Sequence, residues 1–190
     1  MLEAVGLSTS SVAAWEPIDE PDEPAETFAG NARAKARHYA RATGRWCLAD
    51  DSGLEVDALN GAPGVRSARY GADRWPAGAD RPARDRANTA KLLDALAGVP
   101  GEQRTGRFVC HLALAAPDGR VLLEARGTLE GRIAAAPAGE NGFGYDPVFL
   151  LPDRGCTAAE LSAEQKNAIS HRGAALRELA RTLPALLDEA

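Results

Sequence analysis

The chain has 190 residues, a net charge of −5 and a sequence pI of about 5.3. Its 45% hydrophobic and 26% charged residues are the balance of a globular chain with one sizeable core. No basic stretch predicts binding to nucleic acid, and no apolar run approaches the length of a membrane span, so neither partner is expected.

The cysteines indicate a reducing compartment. Cys47, Cys110 and Cys156 are odd in number and far apart, and no Cys-x-x-Cys occurs, so the sequence predicts neither a zinc site nor a disulfide framework. The N-terminal residues lack the basic start and the apolar core of a signal peptide. We therefore expect a cytoplasmic protein.

The first part of the chain predicts one helix after a polar connection. Residues 1–6 are typical of the end of a helix, and the acidic, proline-containing residues 16–26 predict a solvated connection. Apolar residues at helical spacing then predict a helix that Thr27 caps and that Gly44 ends.

Two adjacent carboxylates follow this helix. Residues 46–49 predict a short buried strand, the sequence Asp50-Asp51-Ser52-Gly53 predicts a tight turn, and residues 54–58 alternate like a half-buried strand. Two carboxylates in a turn suit Mg²⁺, which prefers oxygen ligands. Ordinary turn chemistry explains the same residues, and taken alone it is the stronger explanation.

The rest of the chain predicts a mixed α/β fold, in which helices interleave with strands. Its elements are a helix over 82–97, a hairpin whose strands 108–116 and 120–129 flank a Pro-Asp-Gly turn, a glycine-rich loop over 139–147, and a last helix from Ser170 towards Leu187.

Three further groups of residues could bind a ligand. Glycines around Phe143 would let the backbone approach a planar ligand, although a turn with one core aromatic is the simpler explanation. His171 and Arg172 would stand in the first turn of the last helix, where cations oppose the helix dipole, and Lys166 precedes them. A solvated helix face would equally explain Lys166. Arg69 could bind a phosphate or form a surface ion pair.

Two histidines are not expected to act in catalysis. His38 is predicted to be solvated in a charged helix, and His111 to occupy a core or edge position in the first hairpin strand.

The motifs in this order resemble the inosine triphosphate pyrophosphatase family over about residues 26–180. They are Glu26-Thr27-Phe28 with Asn31-Ala32 and Lys35-Ala36, Ala49-Asp50-Asp51-Ser52-Gly53-Leu54, Pro63-Gly64, Ser67-Ala68-Arg69-Tyr70, Gly142-Phe143-Gly144-Tyr145-Asp146-Pro147, Ala159-Glu160-Leu161, Lys166-Asn167 and Ser170-His171-Arg172-Gly173. Each motif alone is weak, whereas their combined order and spacing are highly specific.

The resemblance implies a fold and a reaction. The fold would be an α/β domain over residues 1–190, with a mixed, twisted sheet flanked by helices and two lobes around a central cleft. The reaction would be Mg²⁺-dependent hydrolysis of inosine, deoxyinosine and xanthosine triphosphates to the monophosphate and pyrophosphate, which cleanses the nucleotide pool. The resemblance also implies a homodimer.

The resemblance implies roles for particular residues. Asp51 would be the general base and a metal ligand, Asp50 would support the metal, and Ser52 would contact the substrate. The loop from Phe143 through Gly144 and Tyr145 to Asp146 would form the base pocket, with Phe143 stacking on the base. Lys166, His171 and Arg172 would read the base and fix the nucleotide, because donor-only side chains favour a carbonyl at position six of the purine over an amino group.

The chain departs from the family pattern at two places, which leaves alternatives open. The first strand of the family and the Thr/Ser-x-Asn-x-x-Lys loop that grips the triphosphate are not found in this sequence, and residues 8–11 do not replace the loop. Gly30 stands where many relatives have a metal-binding glutamate. A truncated, weakly nucleotide-binding remnant is therefore an alternative, and a Mg²⁺-dependent phosphomonoesterase is a further one.

Overall fold

The computed structural model describes residues 9–14 and 17–188, so the helix end expected at residues 1–6 lies outside the described residues. Its α-helices are α1 (Phe28–Thr43), α2 (Arg81–Ala95), α3 (Ala163–Ile169) and α4 (His171–Asp188). Its strands are β1 (Cys47–Val56), β2 (Thr105–Ala115), β3 (Val121–Ile133), β4 (Phe149–Leu151) and β5 (Cys156–Thr157).

The five strands form one sheet in the order β1-β2-β3-β4-β5. Strand β4 pairs antiparallel with β3, where Arg132 lies opposite Leu150, and with β5, where Leu151 lies opposite Cys156. At the tip of the β2–β3 hairpin, the Gly119 N–H donates to the carbonyl oxygen of Ala116 at 2.8 Å. The predicted α/β class, with its helices and long hairpin, is confirmed. No helix within the described ranges is long and apolar enough to cross a membrane.

The chain divides into two compact units. The first contains the described residues up to Ser52, Cys110–Thr128 and those from His171 onwards, and the second contains Gly53–Val109 and Leu129–Ser170. The prediction of one domain over residues 1–190 and that of a central cleft both stay predictions.

Successive apolar side chains of β1 and β2 point to opposite faces of the sheet, so both faces of its part in the first unit are apolar. Cys47 of β1 and Ala113 of β2 pack with the small residues of α1, which are Ala32, Ala36 and Ala40. Their neighbours Leu48 and Leu112 pack instead with α4, through Ala175 and Leu179. Because successive strand side chains point to opposite faces, α1 and α4 cover opposite faces of this part of the sheet.

A glycine permits the close approach of α4 to the sheet within the first unit. A Cβ atom at Gly127 of β3 would lie 2.1 Å from the carbonyl oxygen of His171 and 2.4 Å from the nitrogen of Ala175. Only glycine fits there without a backbone shift, so Gly127 sets the position at which α4 begins.

The second unit has its own core, which contains side chains from its strands, from helix α2 and from the segment that precedes β4. Its fully buried members include Leu54, Leu92, Leu96, Phe149 and Ile133. The rings of Phe108 and Phe149 pack with their centroids 4.3 Å apart. This core fixes α2 beside the glycine-rich loop.

The predicted ends of the first helix are confirmed by their hydrogen bonds. Thr27 Oγ1 accepts the N–H of Gly30, and Gly44 adopts a left-handed conformation with φ of 65° while its N–H donates to Ala40. Helix α2 begins one residue earlier and ends two residues earlier than predicted, and its N-cap is Asp80. Helix α4 begins at His171, directly after the predicted Ser170.

The predicted turn at Asp50-Asp51-Ser52-Gly53 is wrong. Strand β1 continues through all four residues, from Cys47 to Val56. Polar residues with turn propensity therefore lie inside a strand, because tertiary hydrogen bonds from two helices hold their side chains.

Candidate active site

Asp51 is a buried carboxylate that helix α1 holds from one face of β1. It is 8% exposed, and its two oxygens accept hydrogen bonds from Lys35 Nζ at 2.9 Å and from Asn31 Nδ2 at 3.2 Å. Residues 31 and 35 are one turn apart on α1, so both donors reach the same carboxylate. Asn31 is fully buried, and its Oδ1 accepts the Ala25 N–H at 3.0 Å.

Glu23 adds a second carboxylate to this cluster, because its Oε1 lies 2.6 Å from Lys35 Nζ. Burial raises the pKa of Asp51, and the hydrogen bonds from Lys35 and Asn31 oppose that rise without cancelling it. Burial alone would lower the pKa of Lys35, but its bonds to Glu23 and Asp51 outweigh burial and raise it. Lys35 is thus a cation shared by two carboxylates, and burial leaves Asp51 with a raised pKa despite the contact with Lys35.

Asp50 lies on the opposite face of β1, where α4 approaches. Its Oδ2 accepts hydrogen bonds from Arg172 Nε at 3.0 Å and from Ser52 Oγ at 2.9 Å, and Arg172 Nη2 lies 2.9 Å from the same oxygen as an ion pair. The two aspartates were expected to support one metal because a turn would bring them together. In a strand the two side chains diverge, and Asp50 contacts Arg172 in the first turn of α4. The support of one metal by both aspartates stays a prediction.

The aromatic loop, residues 142–147, is folded around the carboxylate of Asp146. Asp146 is 2% exposed, and its Oδ2 accepts the N–H of Phe143 at 2.7 Å and a hydrogen bond from Lys166 of α3. A Cβ at Gly142, where φ is +79°, would lie 2.1 Å from that carboxylate. The glycine therefore lets the loop close on Asp146.

Phe143 stays exposed at the surface of this loop. It is 48% exposed, and the Nζ of Lys166 and the guanidinium carbon of Arg81 each lie 4.8 Å from its ring centroid. These distances fit cation–π contacts. The partly exposed ring thus has two donor-bearing cations beside it.

Tyr145 faces inward and ties the loop to the Ser67 segment of the second unit. Its hydroxyl donates to the Ser67 carbonyl oxygen at 2.8 Å, and Ser67 Oγ accepts the N–H of Leu54 at 2.8 Å. Burial raises the pKa of Tyr145 far above its ordinary value, so its hydroxyl stays a donor. Tyr145 is 4% exposed and supports the loop from within.

The structure gathers the predicted site residues into two groups, one in each unit. Asp50, Ser52 and Arg172 are bonded in the first unit, where His171 also begins α4. Phe143, Asp146 and Lys166 are bonded in the second unit. His38 is partly buried and its Nε2 lies 2.7 Å from the carbonyl oxygen of Asp19, so the prediction that it is solvated is wrong. His111 pairs with Glu124 at 3.0 Å, and the absence of both histidines from catalysis stays a prediction.

Sequence reasoning missed the residues that hold the site residues. Asn31, Lys35 and Glu23 surround Asp51, whereas the segment with Glu23 was expected to be solvated. The spacing of Asn31 and Lys35 on one helix face could have indicated a shared partner. Nothing in the sequence indicated that Asp85 of α2 would bind the aromatic loop.

A divalent cation would find oxygen ligands beside Lys35, where Asp51 and Glu23 approach. Mg²⁺ in proteins is often held by one or two carboxylates together with substrate phosphates and water, so this donor set fits it. No group of three or more histidine, cysteine or acidic side chains forms a metal centre in the described part of the chain. Gly30 supplies no ligand, and a Cβ there would lie 2.5 Å from that of Ala25.

Two proteins of similar sequence carry the same name. A dITP/XTP pyrophosphatase of Nitratidesulfovibrio vulgaris is 52% identical over 184 residues, which cover 97% of this chain and 87% of that protein. A dITP/XTP pyrophosphatase of Exiguobacterium sibiricum is 48% identical over 189 residues, covering 100% of this chain and 91% of that protein.

Solved structures agree with the sequence comparison. The Ham1 protein of Staphylococcus aureus has a TM-score of 0.80 at 40% identity and covers 92% of this chain and 85% of its own. A nucleoside-triphosphatase/dITP/XTP pyrophosphatase of Mycobacterium abscessus has a TM-score of 0.75 at 45% identity, covering 94% and 88%. The profile of the Ham1 family matches residues 1–182. The family resemblance drawn from the motifs is confirmed, and the chain belongs to the Ham1 family.

Proposed function

We propose that this chain is a nucleoside triphosphate pyrophosphatase that hydrolyses deaminated purine nucleotides, namely inosine, deoxyinosine and xanthosine triphosphates, to the monophosphate and pyrophosphate. Full-length similarity to proteins named dITP/XTP pyrophosphatase supports this substrate class. The observation that carries the chemistry is the buried Asp51 carboxylate, held by Lys35 and Asn31.

Asp51 serves as the general base for the attacking water. Its raised pKa increases its affinity for the proton that water gives up, and its bonds to α1 fix the direction in which it accepts that proton. Lys35 keeps its positive charge and offers it to a phosphate oxygen. Mg²⁺, held by Asp51 and assisted by Glu23, would neutralise phosphate charge.

The aromatic loop binds the base. Phe143 stacks on the purine, and Lys166 beside the ring donates to a carbonyl at position six, which inosine and xanthosine carry and adenosine lacks. Gly144 gives the backbone its left-handed bend after Phe143. Asp146 and Tyr145 act from inside the loop, because both are buried and hydrogen-bonded.

His171 and Arg172 in the first turn of α4 fix the nucleotide, and Asp50 orients Arg172. Two nitrogens of Arg172 approach one carboxylate oxygen of Asp50, which limits the rotamers of Arg172, and Ser52 donates to that same oxygen. In this proposal Asp50 acts through Arg172, and Ser52 and His171 remain substrate contacts.

Turnover of inosine triphosphate by purified protein with Mg²⁺ tests the function. We expect pyrophosphate as the product, measured as phosphate that appears only after an added inorganic pyrophosphatase acts. Asp51→Asn, which keeps the shape but removes the base, should lower kcat by at least about a hundredfold, as loss of a general base does. Chelation of Mg²⁺ should also abolish turnover.

Three results would contradict this proposal. Orthophosphate released without the auxiliary enzyme would indicate a phosphohydrolase that does not release pyrophosphate. Equal calorimetric affinities for inosine mono- and triphosphate, with no turnover, would indicate a nucleotide-binding remnant. An unchanged kcat in Asp51→Asn would remove Asp51 from the catalytic step.

We also propose that the protein is a cytoplasmic homodimer. The cysteine pattern supports a reducing compartment, and the family resemblance supports the dimer. Light scattering coupled to gel filtration would measure the mass against the 19.9 kDa of one chain. A mass near that value at micromolar concentration would contradict the dimer.

A further inference from the structure

The aromatic loop is held from helix α2 as well as from Asp146. The Asp85 Oδ2 accepts the N–H of Gly144 at 2.9 Å, and Thr89 Oγ1 donates to the Gly144 carbonyl oxygen at 3.3 Å. Residues 85 and 89 are one helical turn apart, so they lie on the same face of α2. Both polar groups of Gly144 are therefore bound by a single rigid element.

The conformation of Gly144 affects the position of Phe143. Its φ is +61°, a left-handed conformation, and it directly follows the exposed ring. The N–H of Phe143 is separately bound to Asp146. With the peptide groups on both sides fixed, the backbone that carries Phe143 has little freedom to rotate, which fixes the direction in which the side chain leaves the loop.

Helix α2 is itself firmly anchored in the second unit. Asn88, which stands between the two loop-binding residues, accepts the Gly71 N–H at 2.6 Å and donates to the Ala68 carbonyl oxygen at 3.1 Å. Leu92 is fully buried in the core one turn later. The position of Asp85 is therefore set by the core and does not follow the loop.

The loop needs such support because it borders open space. A groove of about 1010 Å³ lies between α2 and the loop, and both Asp85 and Phe143 line it. Asp85 is partly buried, with its side chain 25% exposed, and Arg81 lies 4.0 Å from its Oδ2. A hydrogen bond to a charged acceptor is stronger than a neutral one, so Asp85 is the main support on this side.

We propose that Asp85 is a positioning residue for purine binding, which fixes Phe143 through the Gly144 peptide. The inference rests on the proposed function, in which Phe143 stacks on the base. Stacking stabilises the bound substrate and the transition state alike, so its loss should appear in KM rather than in kcat.

Steady-state kinetics with inosine triphosphate test this inference. Asp85→Ala should raise KM about tenfold, the size expected for loss of one hydrogen bond to a charged group, with kcat within about twofold of wild type. Asp85→Asn, whose amide oxygen can still accept the Gly144 N–H, should restore most of the affinity. Asp94→Ala removes another carboxylate of α2, one that pairs with Arg74 at the surface, and should leave KM unchanged.

A double-mutant cycle separates positioning from a general structural effect. If Asp85 acts through Phe143, then Asp85→Ala should raise KM less than about twofold when added to Phe143→Leu. Hydrogen exchange should also show faster exchange of the Gly144 amide in Asp85→Ala. If Asp85→Ala does not fold, Thr89→Val provides the same test with a smaller expected change.

The outcomes distinguish the inference from the function on which it rests. An active wild type whose KM is unaffected by Asp85→Ala, or whose Asp85 and Phe143 effects multiply independently, overturns the inference alone. A wild type that does not hydrolyse inosine triphosphate overturns the proposed function, and the assignment of Asp85 falls with it.

Discussion

At the scale of single residues, neighbours in sequence have separate partners. Asp50 and Asp51 adjoin each other, yet Asp50 bonds to Arg172 of α4 and Asp51 to Lys35 of α1. The alternation of a strand separates them, and each takes its chemistry from the helix it faces. Loss of a residue that holds Asp51 should therefore lower the free energy of unfolding as much as loss of a core residue does.

Replacing Asn31 tests this support. Asn31→Leu keeps the size of the side chain but leaves the Ala25 N–H and one Asp51 oxygen without their partner. We expect the free energy of unfolding to fall by about 2–3 kcal/mol, because buried polar groups would lose their hydrogen bonds. Denaturant titration measures the change.

Arg33→Leu is the matched control on the same helix. Arg33 pairs with Glu124 at 2.7 Å but is 44% exposed, so its loss should cost less than about 1 kcal/mol. An equal decrease in the free energy of unfolding of the two variants would contradict the stabilising role of Asn31.

The cysteines should differ in reactivity. Burial raises the pKa of Cys110 to about 11, and its side chain is inaccessible, whereas Cys156 is partly exposed. With iodoacetamide at pH 8, mass spectrometry should detect modification of Cys156 first, and of Cys110 only on unfolding. Modification of both at the same rate in native protein would be inconsistent with this burial.

At the scale of elements, close backbone approach decides where helices begin. The first turn of α4 lies against Gly127 of β3, and that turn carries both His171 and Arg172. Helix α1 reaches the other face of the first unit through alanines at helical spacing, because small side chains allow a short distance between helix and sheet.

Gly127→Ala should disturb the start of α4. A Cβ 2.1 Å from the carbonyl oxygen of His171 forces a backbone shift, with an expected cost of about 1–3 kcal/mol. Activity should fall as well, because Arg172 would move relative to Asp50. Thermal unfolding and turnover provide the two measurements.

Gly101→Ala is the control, since no heavy atom lies within 4 Å of a Cβ at that position. Its unfolding free energy should stay within about 0.5 kcal/mol of wild type. A Gly127→Ala variant as stable as the Gly101→Ala variant would show that the helix can move without cost.

At the scale of the whole molecule, ion pairs make stability depend on pH. Hydrogen bonds from Arg107 and Thr105 lower the pKa of Asp57, and the pKa of Glu124 is also lowered, because Arg33 and His111 outweigh its burial. A carboxyl whose pKa is lower in the folded state contributes stability above its unfolded pKa. That contribution is lost as the pH falls through the folded pKa.

The free energy of unfolding should therefore decrease as the pH falls below about 4, the ordinary range of carboxyl pKa values. Asp57→Asn removes one of these groups and should flatten that decrease by less than about 1 kcal/mol, since Asp57 is 45% exposed. Denaturant titrations between pH 7 and pH 3 would measure it. A steeper decrease in Asp57→Asn than in wild type would mean that folding does not lower the pKa of Asp57.

Much of the fold was predictable because its signals are local. Thr27 and Gly44 bound α1 as their capping chemistry requires, and the Pro-Asp-Gly sequence turns the hairpin. The motif order also indicated the family. The strand through Asp50-Asp51-Ser52-Gly53 was not predictable, because local turn propensity was overruled by helices distant in sequence.

The sequence by itself determined the class, the family and the identity of the candidate catalytic groups, since these depend on residue types and their spacing. Only the tertiary structure decided which groups hold one another: Asn31 and Lys35 on Asp51, Asp50 on Arg172, and Asp85 on the Gly144 peptide. Such contacts join residues far apart in the chain, and their geometry follows from how helices pack on strands, which no local pattern encodes.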